Sequence, residues 1–333
     1  MDVAFEARLQ AIDRVTLTPL VRRALGSRTV EVVDWNYNQI HGGFEVNAGI
    51  YRFAGQGRDR GKTVPWSLIL KIIRPPAGED DPGDWNYLKR DVLVYQSGLL
   101  ADLPGGLAAP RCFGITEETD GEFWLWLEEV ADDIGPQWPL TRYGLAARHL
   151  GRFNGAYLTG RRPLPSQPWL SRGWLRSLVP QAAPQIAQLP TVLDHPLVRR
   201  LYPPDVAGGL FRLWAERETF LEALDRLPQT FCHRDAFRRN LFARRGPDGR
   251  EQTVAIDWVF AGAGAVGAEM VALVVATLGF REVEFDRAQE LEIIVFEGYL
   301  AGLDAAGWGG DPRLVRFGYA AAAALRYVLG GTR

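Results

Sequence analysis

Phe231-Cys232-His233-Arg234-Asp235-Ala236-Phe237-Arg238-Arg239-Asn240-Leu241-Phe242 is the stretch on which the fold turns. An aspartate stands five residues before an asparagine, between two short apolar runs. Further on, Ala255-Ile256-Asp257-Trp258 sets a second aspartate just after another apolar run. The pattern is H-R-D-x-x-x-x-N followed by a hydrophobic-Asp-aromatic turn. Two readings are open. Asp and Asn are common turn and cap residues, so each alone is explained by conformation. Taken together and in this order, they supply the parts of a phosphoryl-transfer site. One carboxylate meets the proton of an incoming hydroxyl. An amide and a second carboxylate hold Mg²⁺ on nucleotide phosphates.

Upstream, Leu68-Ile69-Leu70-Lys71-Ile72-Ile73 places a lysine inside a strand-like apolar run. The chain has only three lysines, Lys62, Lys71 and Lys89, against 35 arginines. A buried ammonium is costly unless it is paired, so Lys71 stands out. The surrounding pattern predicts an antiparallel meander: strands over Thr29 to Ile40, Ala48 to Ala54 and Val64 to Ile73, with a turn at 41–45 and a polar hairpin loop at 55–61. Asp84 reads as the N-cap of a helix whose apolar face is Trp85, Leu88, Val92, Tyr95 and Leu99. Two more strands are expected at Ile115 to Thr119 and Glu122 to Val130. Residues 2–25 read as one or two helices. Beyond Ala131 the period is helical: Tyr143 to Leu158, Ser171 to Ala187, Asp205 to Leu227, Ala268 to Leu278, Glu284 to Leu303 and Pro312 to Leu329. A β-rich N-terminal part over 1–130, extended by helices over about 1–28, and a helical part over 131–333 follow from this.

At 333 residues and 47% hydrophobic, the chain has material for a large core divided over two lobes. A formal net charge of −2 argues against nucleic acid or a membrane surface as partner. The most apolar windows, Ala265 to Phe280 and Tyr319 to Gly330, are too short to span a bilayer, and 1–10 does not read as a signal peptide. Two cysteines, Cys112 and Cys232, are too few for a disulfide framework or a four-cysteine zinc site and suit a reduced, cytoplasmic setting.

These residues resemble the kinase-like phosphotransferases, and more closely the small-molecule branch that holds the aminoglycoside phosphotransferases and choline kinases. The resemblance covers Gly42 to about residue 330. It implies an α+β, two-lobed protein-kinase-like fold, with a small antiparallel β-sheet lobe and a larger, mainly helical lobe. It implies ATP and Mg²⁺ as cofactors, with Asp235 as catalytic base, Asn240 and Asp257 as metal ligands, and His233 bracing the loop. Lys71 matches the phosphate-binding lysine of the third strand, and Asp91 stands where its acidic partner belongs, though the family generally has glutamate there. The turn His41 to Gly49, with Gly42, Gly43 and Asn47, matches the phosphate-covering turn by position. The backbone groups of Glu128 and Val130 match the adenine-binding hinge, whose acidic side chains need no role beyond solvation. Arg234 replaces a glycine usual in this branch, and a local salt bridge is the expected use of it. Glu269, after the small-residue run Ala261 to Ala268, stands where the family most often has aspartate.

No long activation segment follows Asp257, which argues against a protein kinase. The expected partner is a small-molecule hydroxyl acceptor. Residues 161–230 carry nine arginines and six acids, so classical aminoglycosides, which are polycations, are expected to be poor acceptors. Trp138, Trp169 and Trp174 are open to stacking on an acceptor or to core packing. A nucleotide-binding pseudokinase, acting as sensor or scaffold, is the alternative. Oligomeric state is not legible in the sequence.

Overall fold

A computed structural model describes residues 3–41, 49–76, 78, 81–118, 121–246 and 248–330. The chain forms two compact units, one of residues 1–80, 95–98 and 110–130, the other of residues 81–94, 99–109 and 131–333.

The first unit opens with helices α1 (Val3–Gln10) and α2 (Arg14–Leu25). Asp13 caps α2 by accepting the Thr16 N–H at 2.9 Å, and Gly26 ends it in a left-handed conformation. Strands β1 (Glu31–His41), β2 (Gly49–Asp59) and β3 (Lys62–Ile73) form the meander. Strand β2 runs on through the glycines expected to form a loop, because Gly57 pairs with Val32 on one side and Val64 on the other. The turn falls instead at Arg60-Gly61. A Cβ at Gly55 would collide with the Asp34 carbonyl, so the glycine serves close strand approach. With β5 (Cys112–Glu117) and β6 (Phe123–Leu127), the sheet order is β1-β2-β3-β6-β5. Leu68, Leu70 and Ile72 of central β3 are fully buried in one core with Leu17, Leu20 and Val21 of α2. Side chains alternate along a strand, so Lys71 lies on the other face.

In the second unit, helix α3 (Lys89–Gln96) begins five residues beyond Asp84, the expected cap, and residues Tyr95 and Gln96 cluster with the first unit. Asp84 does not cap it. Its carboxylate accepts Ser177 Oγ at 2.8 Å instead. Then follow β4 (Leu107–Ala108), α4 (Leu140–Leu158), α5 (Trp174–Leu178), α6 (Ala183–Val192), α7 (Pro196–Leu201) and α8 (Pro204–Arg226). Strands β7 (Gln229–Cys232), β8 (Leu241–Arg245), β9 (Glu251–Ala255) and β10 (Gly262–Ala265) come next. The chain ends with a π-helical stretch (Ala272–Ala276) leading into α9 (Thr277–Gly279), then α10 (Ala288–Ala305), α11 (Pro312–Ala323) and a second π-helical stretch (Ala324–Leu329). Strands β7 and β10 pair antiparallel, and β9 lies between parallel β4 and antiparallel β8.

Helices α4 and α10 cross nearly backbone to backbone. A Cβ at Gly151 would strike the Tyr299 carbonyl, one at Gly302 the Arg148 carbonyl, and one at Gly298 the Gly144 carbonyl. That contact supports β7. Asn154, fully buried on α4, donates to the Phe231 carbonyl at 2.7 Å and accepts the Tyr299 hydroxyl at 2.6 Å.

Candidate active site

Strand β7 leads into the loop His233 to Asn240, and three bonds fix its shape. The Asn240 amide nitrogen donates to the Asp235 carbonyl at 3.0 Å and to Asp235 Oδ2 at 2.9 Å. The Asp235 N–H donates to His233 Nδ1 at 3.1 Å. With Nδ1 an acceptor, Nε2 must carry the proton, and it donates to the Ile256 carbonyl at 2.8 Å. The histidine is thus a brace, as the resemblance implied, with both nitrogens engaged in holding main chain.

Ile256 ties this loop to the next. Its N–H donates to the Asn240 carbonyl at 2.9 Å, which brings Asp257 beside Asn240. Asp257 has φ of 64°, a left-handed conformation that Asp tolerates better than most residues. Two residues at the start of α3 hold the turn that follows. Asp91 accepts the Trp258 N–H at 2.9 Å. Arg90, completely buried, donates to the carbonyls of Val259, Trp169, Pro82 and Asp84. Burial lowers its guanidinium to about 10. Neither positioning role was readable locally, since Trp258, Val259 and Trp169 lie far away in sequence.

Arg234 also has a positive φ, 68°. An L-residue there costs on the order of 1–2 kcal/mol, which explains why glycine suits the position. Two features offset that cost. Glu269, fully buried, accepts the His233 N–H at 2.8 Å and the Arg234 N–H at 3.0 Å. The Arg234 guanidinium donates to the carbonyls of Phe260, Ser171 and Ala263. The expected salt bridge is therefore replaced by main-chain carbonyls, and burial lowers Arg234 to about 10. Beside it, burial pushes the Cys232 thiol well up, which makes it an inert core residue.

Arg326, on the C-terminal π-helical stretch, gave no sequence signal. Its Nη2 lies 2.6 Å from Asp235 Oδ1, and its Nη1 donates to the Arg234 carbonyl. Both partners are mostly buried, at 15% and 17% side-chain exposure.

In the first unit, Lys71 sits on β3 between Ile50 and Leu125 and is 8% exposed. The Glu128 N–H donates to the Arg111 carbonyl at 2.8 Å, and its carboxylate accepts the Arg111 N–H at 3.0 Å. Glu129 pairs with Arg52 at 2.7 Å. The acidic side chains here therefore do more than face solvent: they tie this segment to its sheet. Val130 follows directly. Gly42, Gly43 and Asn47 lie outside the described residues. Trp138 is buried between Arg142 and Arg238, at 4.4 and 4.3 Å from its ring centre, so it packs and does not stack on a ligand. Trp174 is buried too, donating to the Trp85 carbonyl at 3.1 Å, while Trp169 is half-buried.

The polar atoms suit a hard cation. With the Asn240 nitrogen spent on Asp235, its amide oxygen is the atom left for a metal, and Asp257 adds a carboxylate. Mg²⁺ takes one or two such oxygen ligands and completes its shell with phosphates and water.

A protein-kinase-like fold with an Asp-Asn loop and a second aspartate turn defines the class. The chain belongs to the phosphotransferase enzyme family, whose model matches residues 97–308. Among solved structures, it is similar to an amicoumacin kinase in complex with AMP-PNP, Ca²⁺ and Ami, at 14% identity and a TM-score of 0.54, covering 99% of this chain and 87% of that one. It is also similar to a choline kinase from Cryptosporidium parvum Iowa II, at 12% identity and a TM-score of 0.55, covering 90% and 83%. No curated protein matches the chain by sequence. Among the described residues, no helix is long and apolar enough to cross a membrane.

Proposed function

We propose that the chain transfers the γ-phosphoryl group of ATP to a hydroxyl of a small molecule. The observation that carries this reading is the bonded Asp235–Asn240 pair, with Asp235 fixed through its own amide by His233. In this reading the acceptor oxygen forms a bond to Pγ, the bond from Pγ to the β-bridging oxygen breaks, and the hydroxyl proton passes to Asp235. The transition state is loose, so positioning and charge neutralisation supply most of the rate gain. Mg²⁺, held by Asn240 and Asp257, would neutralise charge on the β- and γ-phosphates. Lys71 is assigned to the phosphates. Asp91 is assigned as its acidic partner in addition to its bond to Trp258. The hinge role is assigned to the backbone groups of Glu128 and Val130, and the phosphate-covering role to Gly42, Gly43 and Asn47. A cytoplasmic setting goes with this reading.

Asp235→Asn tests it. Asparagine keeps the shape but cannot take the proton, so transfer to any acceptor found in a panel of alcohols should drop by about 10²- to 10⁴-fold. MgATP binding, measured by calorimetry, should persist. A drop smaller than about tenfold, with chemistry rate-limiting, would reduce Asp235 to a loop-bracing residue.

A further inference from the structure

Within the second unit, a cavity of about 60 Å³ lies between α5, the end of α8, β10 and the C-terminal π-helical stretch. Four arginines line it, Arg172, Arg176, Arg234 and Arg326, against one carboxylate, Asp225; the rest of the wall is mainly apolar, with Trp174 prominent. Asp225 is already matched, since Arg176 binds it at 2.6 Å and also reaches Glu218 at 3.1 Å. Arg234 is held by main-chain carbonyls, which carry no full charge. Arg326 is paired with Asp235, Arg176 with Asp225 and Glu218, and Arg234 has the Glu269 carboxylate at its own N–H, so the positive charge left for a ligand is that of the exposed Arg172. An ammonium group entering it would lose water and gain repulsion, whereas a carboxylate would gain charge-assisted hydrogen bonds.

Arg326 connects the cavity to the chemistry. Among the described residues it alone both lines the cavity and bonds the Asp235 side chain. It is poised against flat surfaces, with its guanidinium 4.9 Å from the ring centres of Trp174 and Tyr327. While it binds Oδ1, it competes with an acceptor hydroxyl for that oxygen.

We propose that the acceptor is a compact hydroxy acid whose carboxylate binds between Arg172 and Arg326, and that Arg326 exchanges Asp235 for that carboxylate as the acceptor binds. The word acceptor rests on the phosphotransferase reading; the anion site itself does not. In the exchange Arg326 keeps a carboxylate partner, while the Asp235 side chain loses Arg326 and keeps the bond from Asn240. Asp235 is released toward the hydroxyl only when a ligand with the right charge is present, which couples recognition to activation of the base.

The test is binding to the whole protein without nucleotide, read by thermal shift and calorimetry. Glycerate, 3-hydroxybutyrate and quinate are each compared with their primary amides at millimolar concentration. At least one acid should raise the melting temperature and bind about tenfold or more tightly than its amide, as a charge-assisted pair requires. Arg172→Gln, at an exposed position, and Arg326→Gln, checked for fold by circular dichroism, should each lose that preference. No response to any acid, equal response to acid and amide, or unchanged acid binding in Arg172→Gln or in folded Arg326→Gln would overturn the site. Because no nucleotide is present, these outcomes are independent of phosphoryl transfer. Transfer to amines and amides in preference to acids would overturn the acceptor class and leave the kinase reading standing.

Discussion

Glu269 Oε1 accepts the main-chain N–H of Arg234 at 3.0 Å, and does so from a fully buried position. Its other oxygen takes the His233 N–H, so one carboxylate holds two successive amides of the loop. Glu269→Gln replaces one acceptor oxygen with an NH₂ group that faces an N–H. The variant should be less stable by roughly 1–3 kcal/mol, the penalty for a buried donor left unsatisfied. Thermal melts check this, and a melting temperature equal to that of the parent would show that the loop holds its shape unaided.

Asp257 separates backbone conformation from chemistry. Asparagine tolerates the left-handed region nearly as well as aspartate, and alanine does not. Asp257→Asn should lose turnover while melting like the parent without nucleotide. Asp257→Ala should lose turnover and also melt lower, by about 1 kcal/mol of strain. Full activity in Asp257→Asn would remove this residue from the metal site.

Lys71→Met removes a charge from a buried strand position. Binding of MgATP should weaken by about tenfold or more, while the melting temperature without nucleotide holds or rises. Collapse of the fold, with normal nucleotide affinity in whatever folded protein remains, would make Lys71 structural.

His149 gives the second unit a pH dependence. It is buried on α4, bonded through Nδ1 to Thr253 Oγ1 at 2.9 Å, and burial together with Arg142 lowers it from 6.5 to about 4. Between those values the unfolded chain binds more protons than the folded one, so stability rises with pH across that window. Acidification from about 6.5 to 4 should cost on the order of 3 kcal/mol from this group alone. Melting curves of the parent and His149→Gln should converge as the pH falls. Parallel curves over that range would show that His149 contributes no such term.

Much of this architecture was legible because its causes are local. A short apolar run rich in Leu and Ile made Leu68 to Ile73 a strand, and the order of Asp235, Asn240 and Asp257 marked the loop. The reading failed where a distant group intervened. Gly55 and Gly57 look like a turn, but pairing on both sides extends β2 to Asp59. Asp84 looks like a cap, but Ser177 captures it from far along the chain. Glu269 was marked by the small-residue run before it but not its bonds to a loop 35 residues away, and Arg326 acts on Asp235 from 91 residues away with nothing nearby to announce it. Arg234 was noticed only as a departure from glycine; its three carbonyl partners are set by tertiary structure.

The glycine crossing of α4 and α10 bears on the order in which the molecule is made. Helix α4 ends at Leu158 and α10 starts at Ala288, with the Asp235 loop encoded between them. At about 5–20 residues per second, α4 leaves the ribosome on the order of ten seconds before its partner exists. Through that interval Asn154 lacks the Tyr299 hydroxyl and the glycine face has no helix to meet. A nascent chain that stalls after β10 would carry every residue of the Asp-Asn loop but neither α10 nor Arg326, so the site is completed only once synthesis has passed Arg326.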